Sequence, residues 1–215
     1  MSGFATQRKG RHESLLGLGR HLHARGLIVG SEGNLSCRLP GGQILITPAG
    51  RAKNEIGESD LALLDQAGRT LRGNPSSESI LHAELYRACP KANVVIHAHP
   101  PVAVAWSLAH PGAAELPAEY LAESLLTFGR IPIASYARPG SADLAKSVLP
   151  FLPECQAIIL SRHGAVTWGE SVEEAQVLLE QLEQVACILR DTFRMGNPQP
   201  LPPEEVKSIL AGRKS

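Results

Sequence analysis

Apolar positions recur with helical spacing near the start of the chain, where Leu15, Leu18 and Leu22 lie on one stripe of "ESLLGLGRHLHARGL" despite two glycines. The pattern predicts a first helix there. "GSEGNLSCRL" and "GGQILITPAG" follow, two short apolar runs around a glycine-rich turn, which read as a pair of strands. "GNPSSESILHAELYRACP" opens with hydroxyl residues suited to a helix N-cap and closes at Pro90, predicting a helix over about Ser77 to Cys89. "NVVIHAH" and "CQAIILSRHG" are β-branched and apolar, and predict strands; Pro100 and Pro101 stop the first of them. From Ser171 a long helix is expected, with a capping box from Ser171 and Glu174, an apolar stripe of Leu178, Leu182, Val185 and Leu189, and an end at Gly196. The proline-rich tail, 196–215, is weakly helical and is expected to pack late or on a neighbour.

Helical and strand patterns alternate without a linker, so 215 residues are expected to form one α/β domain, with a core over about 10–195. The chain is 43% apolar, and 21 basic side chains balance 21 acidic ones. That balance gives no reason to expect nucleic acid or an acidic membrane as partner. No apolar run approaches the roughly 18 residues of a membrane span and the first residues lack a signal core, so a cytoplasmic protein is expected. Cys37, Cys89, Cys155 and Cys187 lie far apart, without a C-x-x-C pair, and are expected to be reduced thiols.

Residues two apart on a strand share a face, so His97 and His99 of "HAH" project together. Two readings stand: a pair of metal ligands, or ordinary histidines at a strand end. His163, in "SRHG", also sits where an apolar strand meets a glycine turn, and three imidazoles with an open fourth position describe a catalytic zinc site. His12, His21, His23 and His110 have surface-helix or loop settings. Glu78 suits a helix start through the macrodipole alone, and His82, four residues on, reads as an i,i+4 contact or a further ligand. Ser76 and Ser77 beside free N–H groups suit an anion such as phosphate, or capping. Gly33, Asn34 and Gly50 mark tight turns where backbone can approach a ligand.

In order, "GNLS", "ITPAG", "PSSE", "HAHP" and "RHG" resemble the class II aldolase/adducin family, in particular its fuculose-1-phosphate and related ketose-1-phosphate aldolases, over residues 10–195. The resemblance implies a three-layer α/β/α fold with a central, mainly antiparallel sheet. It also implies a homotetramer with active sites between subunits and a small sugar phosphate as substrate. His97, His99 and His163 fall on the family's zinc ligands, for which manganese or cobalt is an alternative. Glu78 falls on the acid/base carboxylate, which can approach the metal when substrate is absent. Asn34, Gly50, Ser76 and Ser77 fall on phosphate-binding positions.

The implied reaction is cleavage of a ketose 1-phosphate, such as fuculose 1-phosphate or a 5-deoxy or 5-methylthio ribulose 1-phosphate. The products are dihydroxyacetone phosphate and an aldehyde, formed through a zinc-stabilised enediolate. A Schiff base is not expected, since none of Lys9, Lys53, Lys91, Lys146, Lys207 and Lys214 lies in an apolar strand. Relatives of similar pattern are a methylthioribulose-1-phosphate dehydratase, a sugar-phosphate epimerase or decarboxylase, and the adducin head, a binding module. The epimerase has Asp where Glu78 stands. Two departures matter. Ala49 replaces a hydroxyl residue of the T-P-x-G turn, for which Lys53 or Arg51 could compensate by charge. Tyr120 is one residue out of register with the tyrosine that assists at C4, and the tail has no tyrosine.

Overall fold

The computed structural model describes the backbone of residues 2–213 and the side chains of residues 10–213. Lys214 and the side chain of Lys9 lie outside the described residues. The chain opens with helix α1 (Ser2–Ala24), longer toward its N-terminus than its leucine stripe. Four strands follow: β1 (Asn34–Arg38), β2 (Ile44–Ile46), β3 (Ala62–Leu64) and β4 (Thr70–Arg72). Next come α2 (Ser79–Ala88), β5 (Val94–Ala98), α3 (Pro101–Ala109), β6 (Glu115–Leu116), α4 (Ala122–Phe128) and β7 (Ile131–Ala134). Helix α5 (Ala142–Val148), strands β8 (Ala157–Leu160) and β9 (Gly164–Gly169), and helices α6 (Val172–Met195) and α7 (Pro203–Gly212) complete the chain.

The strands form one sheet in the order β4-β3-β2-β1-β5-β9-β8-β7-β6. Among the described residues only β7 and β8 run parallel. The expected mainly antiparallel α/β architecture is therefore present. Strand β5 is central and buried on both faces, which explains why its sequence is a continuous apolar run rather than an alternating one. Val94, Ile96 and Ala98 pack with Leu18, Leu22, Ala103, Leu182 and Leu189 of α1, α3 and α6 on one side. Val95 packs with Leu81, Leu85, Leu144 and Val148 of α2 and α5 on the other. Sheet and two helical layers thus share the core.

Several predicted boundaries move for identifiable reasons. Helix α2 starts at Ser79, two residues later than expected, with Glu78 at its N-cap and no side-chain cap bond. The Ser76 hydroxyl instead accepts the Glu78 N–H at 3.3 Å, just ahead of the helix. The two prolines that stop β5 also start a helix: Pro101 is the first residue of α3, where a missing N–H leaves no bond unmade. Ser171 does cap α6, accepting from the Glu174 N–H at 3.1 Å. The Glu174 carboxylate takes the Glu170 N–H (2.7 Å) and the Gln156 amide (2.7 Å) instead of the Ser171 N–H, so the box is not reciprocal. Gly196 ends α6 with extended φ, without the left-handed turn its type suggests.

The tail packs on its own chain. Leu201 N–H donates to Glu119 O (2.9 Å) and Arg213 donates to Thr127 O (3.0 Å), which fastens α7 beside α4. All four cysteines are free thiols, three of them buried. No helix among the described residues is long and apolar enough to cross a membrane.

Candidate metal and active site

The pairing of β1 with β5 places Asn34 opposite His97, and that of β5 with β9 places His97 opposite Val166. Asn34, Ser36, Val95 and His97 therefore share the sheet face that α2 covers. His99 follows one step beyond the strand end. His163 arrives from the turn between β8 and β9, closed by its N–H on Leu160 O (3.0 Å). The turn needs Arg162 in the left-handed region, φ 61°, and the buried Ser107 hydroxyl accepts the Arg162 N–H at 2.9 Å. Gly164 makes the approach possible, because a Cβ there would lie 2.5 Å from Ala98 O and 2.8 Å from both the His97 and His99 rings.

The three imidazoles stand with ring centroids 4.7 to 5.1 Å apart. His97 Nδ1 donates to Ala165 O (3.0 Å) and His99 Nδ1 donates to Glu32 (3.0 Å), so the Nε2 atoms point inward as acceptors. These two Nε2 atoms are 3.2 Å apart. Glu78 closes the cluster from α2, with Oε2 3.1 Å from His97 Nε2 and Oε1 3.4 Å from His163 Nε2. Glu78 Oε1 and His163 Nδ1 are buried without a hydrogen bond.

Lone pairs and a carboxylate converge, and a positive charge has to sit among them. A metal cation would supply it. The donor set and spacing fit a metal: tetrahedral zinc with bonds of about 2.0–2.1 Å holds its nitrogens roughly 3.3 Å apart, close to the His97–His99 separation. One ligand atom from each of His97, His99 and His163 lies within 4.8 Å of the others. Burial, and next the neighbouring His97, push the His163 pKa down to about 4 and lower that of His99. Both rings are then neutral at pH 7, the form that ligates metal. Burial works to raise the Glu78 pKa, yet His97 and Asn34 outweigh it and hold the carboxyl well below the usual range.

Behind Glu78 runs a buried chain of hydrogen bonds that sequence reasoning missed. Asn34 Nδ2 donates to Glu78 Oε2 (2.8 Å), and Asn34 Oδ1 accepts from His82 Nε2 (2.5 Å). His82 Nδ1 then accepts from the Ser36 hydroxyl (2.6 Å), which accepts from Tyr86 OH (2.9 Å). His82 is fully buried, and burial, followed by the charge of His97, pushes its pKa down to about 3. It is thus neither a ligand nor a direct i,i+4 partner of Glu78; Asn34 links them. The alternation of Asn34 and Ser36 on β1 was the available signal.

Asn34, Gly50, Ser76 and Ser77 line one cavity of about 200 Å³, and Glu78, His99 and His163 form its inner wall. That volume lies below the ~300–1,000 Å³ of drug-sized pockets, and suits a small metabolite rather than a dinucleotide. His97 is buried behind it. Tyr120 is not brought to the cavity of its own chain: its ring packs 5.4 Å from Phe193 of α6. Of the histidines set aside, His12 is buried rather than superficial and lies 3.6 Å from Glu58, while His21 pairs with Glu180.

Fold and cluster define a class II aldolase architecture with three histidines placed so that they could hold a metal ion. Residues 13–189 match the class II aldolase and adducin N-terminal domain, and the chain belongs to that family. It is 31% identical to the 3-oxo-tetronate 4-phosphate decarboxylase of Escherichia coli K12, over 88% of this chain and 90% of that one. It is 35% identical to the methylthioribulose-1-phosphate dehydratase of Methylococcus capsulatus, over 83% and 92%. The crystal structure of L-fuculose-1-phosphate aldolase from Thermus thermophilus superposes with a TM-score of 0.76 at 32% identity, covering 87% of this chain and 97% of that one.

Proposed function

We propose that the protein is a metal-dependent lyase that cleaves a ketose 1-phosphate into dihydroxyacetone phosphate and an aldehyde. The observation that supports this reading is the convergence of three imidazoles and the Glu78 carboxylate at a cavity lined by His99, His163 and Glu78 together with Ser76 and Ser77. His97, His99 and His163 would hold the metal, zinc by ligand type with manganese or cobalt as alternatives. When bound it supplies a Lewis acid for the substrate's C2 and C3 oxygens.

The chain's own residues divide the remaining work. Glu78 moves the proton at C3 of the dihydroxyacetone phosphate half, and Asn34 and His82 hold its carboxylate in place. The Ser76 and Ser77 hydroxyls bind the phosphate together with the Gly50 turn. Candidate substrates are fuculose 1-phosphate and the 5-deoxy or 5-methylthio derivatives of ribulose 1-phosphate. A fourfold tetramer with sites between subunits belongs to the same reading. The exposed Phe193 and Met195 at the end of α6 support it as apolar surface for assembly. Light scattering checks it, with four times 23.0 kDa expected.

A second reading is decarboxylation of a phosphorylated 3-oxo sugar acid, and the placement of Tyr120 outside the cavity favours it. Loss of carbon dioxide requires no group to take a proton from a C4 hydroxyl, whereas aldol cleavage does. Incubating the zinc-loaded protein with the ketose 1-phosphates and with a 3-oxo-tetronate 4-phosphate, and following products by NMR, separates the two. Dihydroxyacetone phosphate plus an aldehyde supports the first reading. Carbon dioxide release from the acid alone, or water loss from methylthioribulose 1-phosphate, replaces it.

A further inference from the structure

Lys53 lies in the loop between β2 and β3, under helix α1, and is only 1% exposed. Its ammonium donates to Ser31 O at 2.8 Å and Arg51 O at 2.7 Å. Gly19 allows the burial: a Cβ there would lie 2.7 Å from the Lys53 carbonyl oxygen, so a side chain on this turn of α1 would lift the helix off the loop. An otherwise unfavourable glycine in a helix thus has a packing reason.

No carboxylate pairs with this ammonium among the described residues. The acidic groups nearby are committed elsewhere, Glu32 to His99 (3.0 Å), Glu78 to His97 (3.1 Å) and Asp60 to Arg51 (3.2 Å). Two carbonyl dipoles solvate a cation but do not neutralise it, and a buried charge without a counter-ion is unfavourable. Burial accordingly pushes the Lys53 pKa down to about 8, which still leaves it charged at pH 7. An ammonium has three N–H groups and two are used. Lys53 also lines the cavity that holds Ser76, Ser77 and Gly50.

We propose that Lys53 is the counter-charge for the substrate's phosphate, giving its third N–H and its positive charge to a phosphomonoester dianion seated against Ser76 and Ser77. This rests on the phosphate reading of that wall. It supplies what Ala49 lacks, a donor beside Gly50, and adds a charge that a hydroxyl would not. Arg51 does not share the role: its side chain is half exposed, paired with Asp60 and absent from the cavity wall.

Calorimetric titration of the zinc-loaded protein with inorganic phosphate, in sulfate-free buffer, tests the assignment. Lys53→Met should weaken phosphate binding at least about tenfold, the loss expected for one charged hydrogen bond, while Arg51→Ala changes it less than about twofold. Ser76→Ala probes the underlying reading. If Ser76→Ala weakens phosphate and Lys53→Met does not, the lysine is a structural pin and the proposal falls while the phosphate wall stands. If Lys53→Met weakens phosphate and Ser76→Ala does not, the lysine assignment holds without the serine one. Phosphate that does not bind the unmodified protein overturns both. Glycolate is titrated in parallel; a loss confined to glycolate assigns Lys53 to a carboxylate and rejects the proposal. Lys53→Gln, which keeps a donor for the carbonyl oxygens without the charge, replaces the methionine variant if that one does not fold.

Discussion

At the scale of single residues, the proposed reaction makes turnover depend on Glu78. It is held by Asn34 and faces His97 and His163, so Glu78→Gln keeps the shape and the histidine ligands but removes the base. Retained zinc by metal analysis, with a rate lowered at least about 10²-fold, is the expected outcome. His82 acts one step back: its Nε2–H fixes which end of the Asn34 amide faces Glu78. His82→Leu should lower kcat by about 10-fold or more with KM little changed, because no substrate contact is lost. Lys53 gives a sign in pH. Its folded pKa of about 8 lies below the ordinary lysine value of 10.5, so the unfolded chain binds the extra proton between them. Its contribution to stability is present above 10.5 and is lost as pH falls through 8. Denaturant unfolding at pH 7.5 and 10 should therefore show the native protein gaining on Lys53→Met at the higher pH.

At the scale of elements, helix α3 is capped from outside. Pro100 at its N-cap has no side-chain acceptor, and Glu183 of α6 takes the Val102 N–H at 2.8 Å and the Ala103 N–H at 2.9 Å. This ties the helix that follows the histidine-bearing strand β5 to the long C-terminal helix. Glu183→Ala should destabilise by about 1–2 kcal/mol in denaturant unfolding. The apolar periodicity of α6 was legible, because a stripe at 3.6-residue spacing needs only a flat core to face. Glu183 carries no such signal: as a glutamate in a helix it reads as surface, and only the neighbouring helix makes it a cap.

At the scale of the whole molecule, the cluster of three histidines and Glu78 joins α2, the end of β5 and the β8–β9 turn, elements far apart in the chain. A ligand that binds only the folded arrangement stabilises it by mass action, about 2.7 kcal/mol at a hundred times its Kd. Chelation should lower the melting temperature by roughly 5–10 °C for a chain of this size, and added zinc should restore it. No change on chelation would remove the metal from the account.

What the sequence determined by itself was helices α1, α2 and α6, strands β1, β2 and β8, and the strand β5 that presents two histidines on one face, since these follow from periodicities of 3.6 and 2 that local geometry imposes. A matching strand end added His163 and the family pattern added Glu78, and the structure brings all four groups together. Only the tertiary structure decided that Asn34 faces Glu78, that Ser107 props the turn carrying His163, and that Lys53 is a buried cation rather than a solvated surface lysine. Each of these depends on which distant group fills the other end of a hydrogen bond, or fails to neutralise a charge. That is settled when layers pack, and leaves no trace in the spacing of neighbours along the chain.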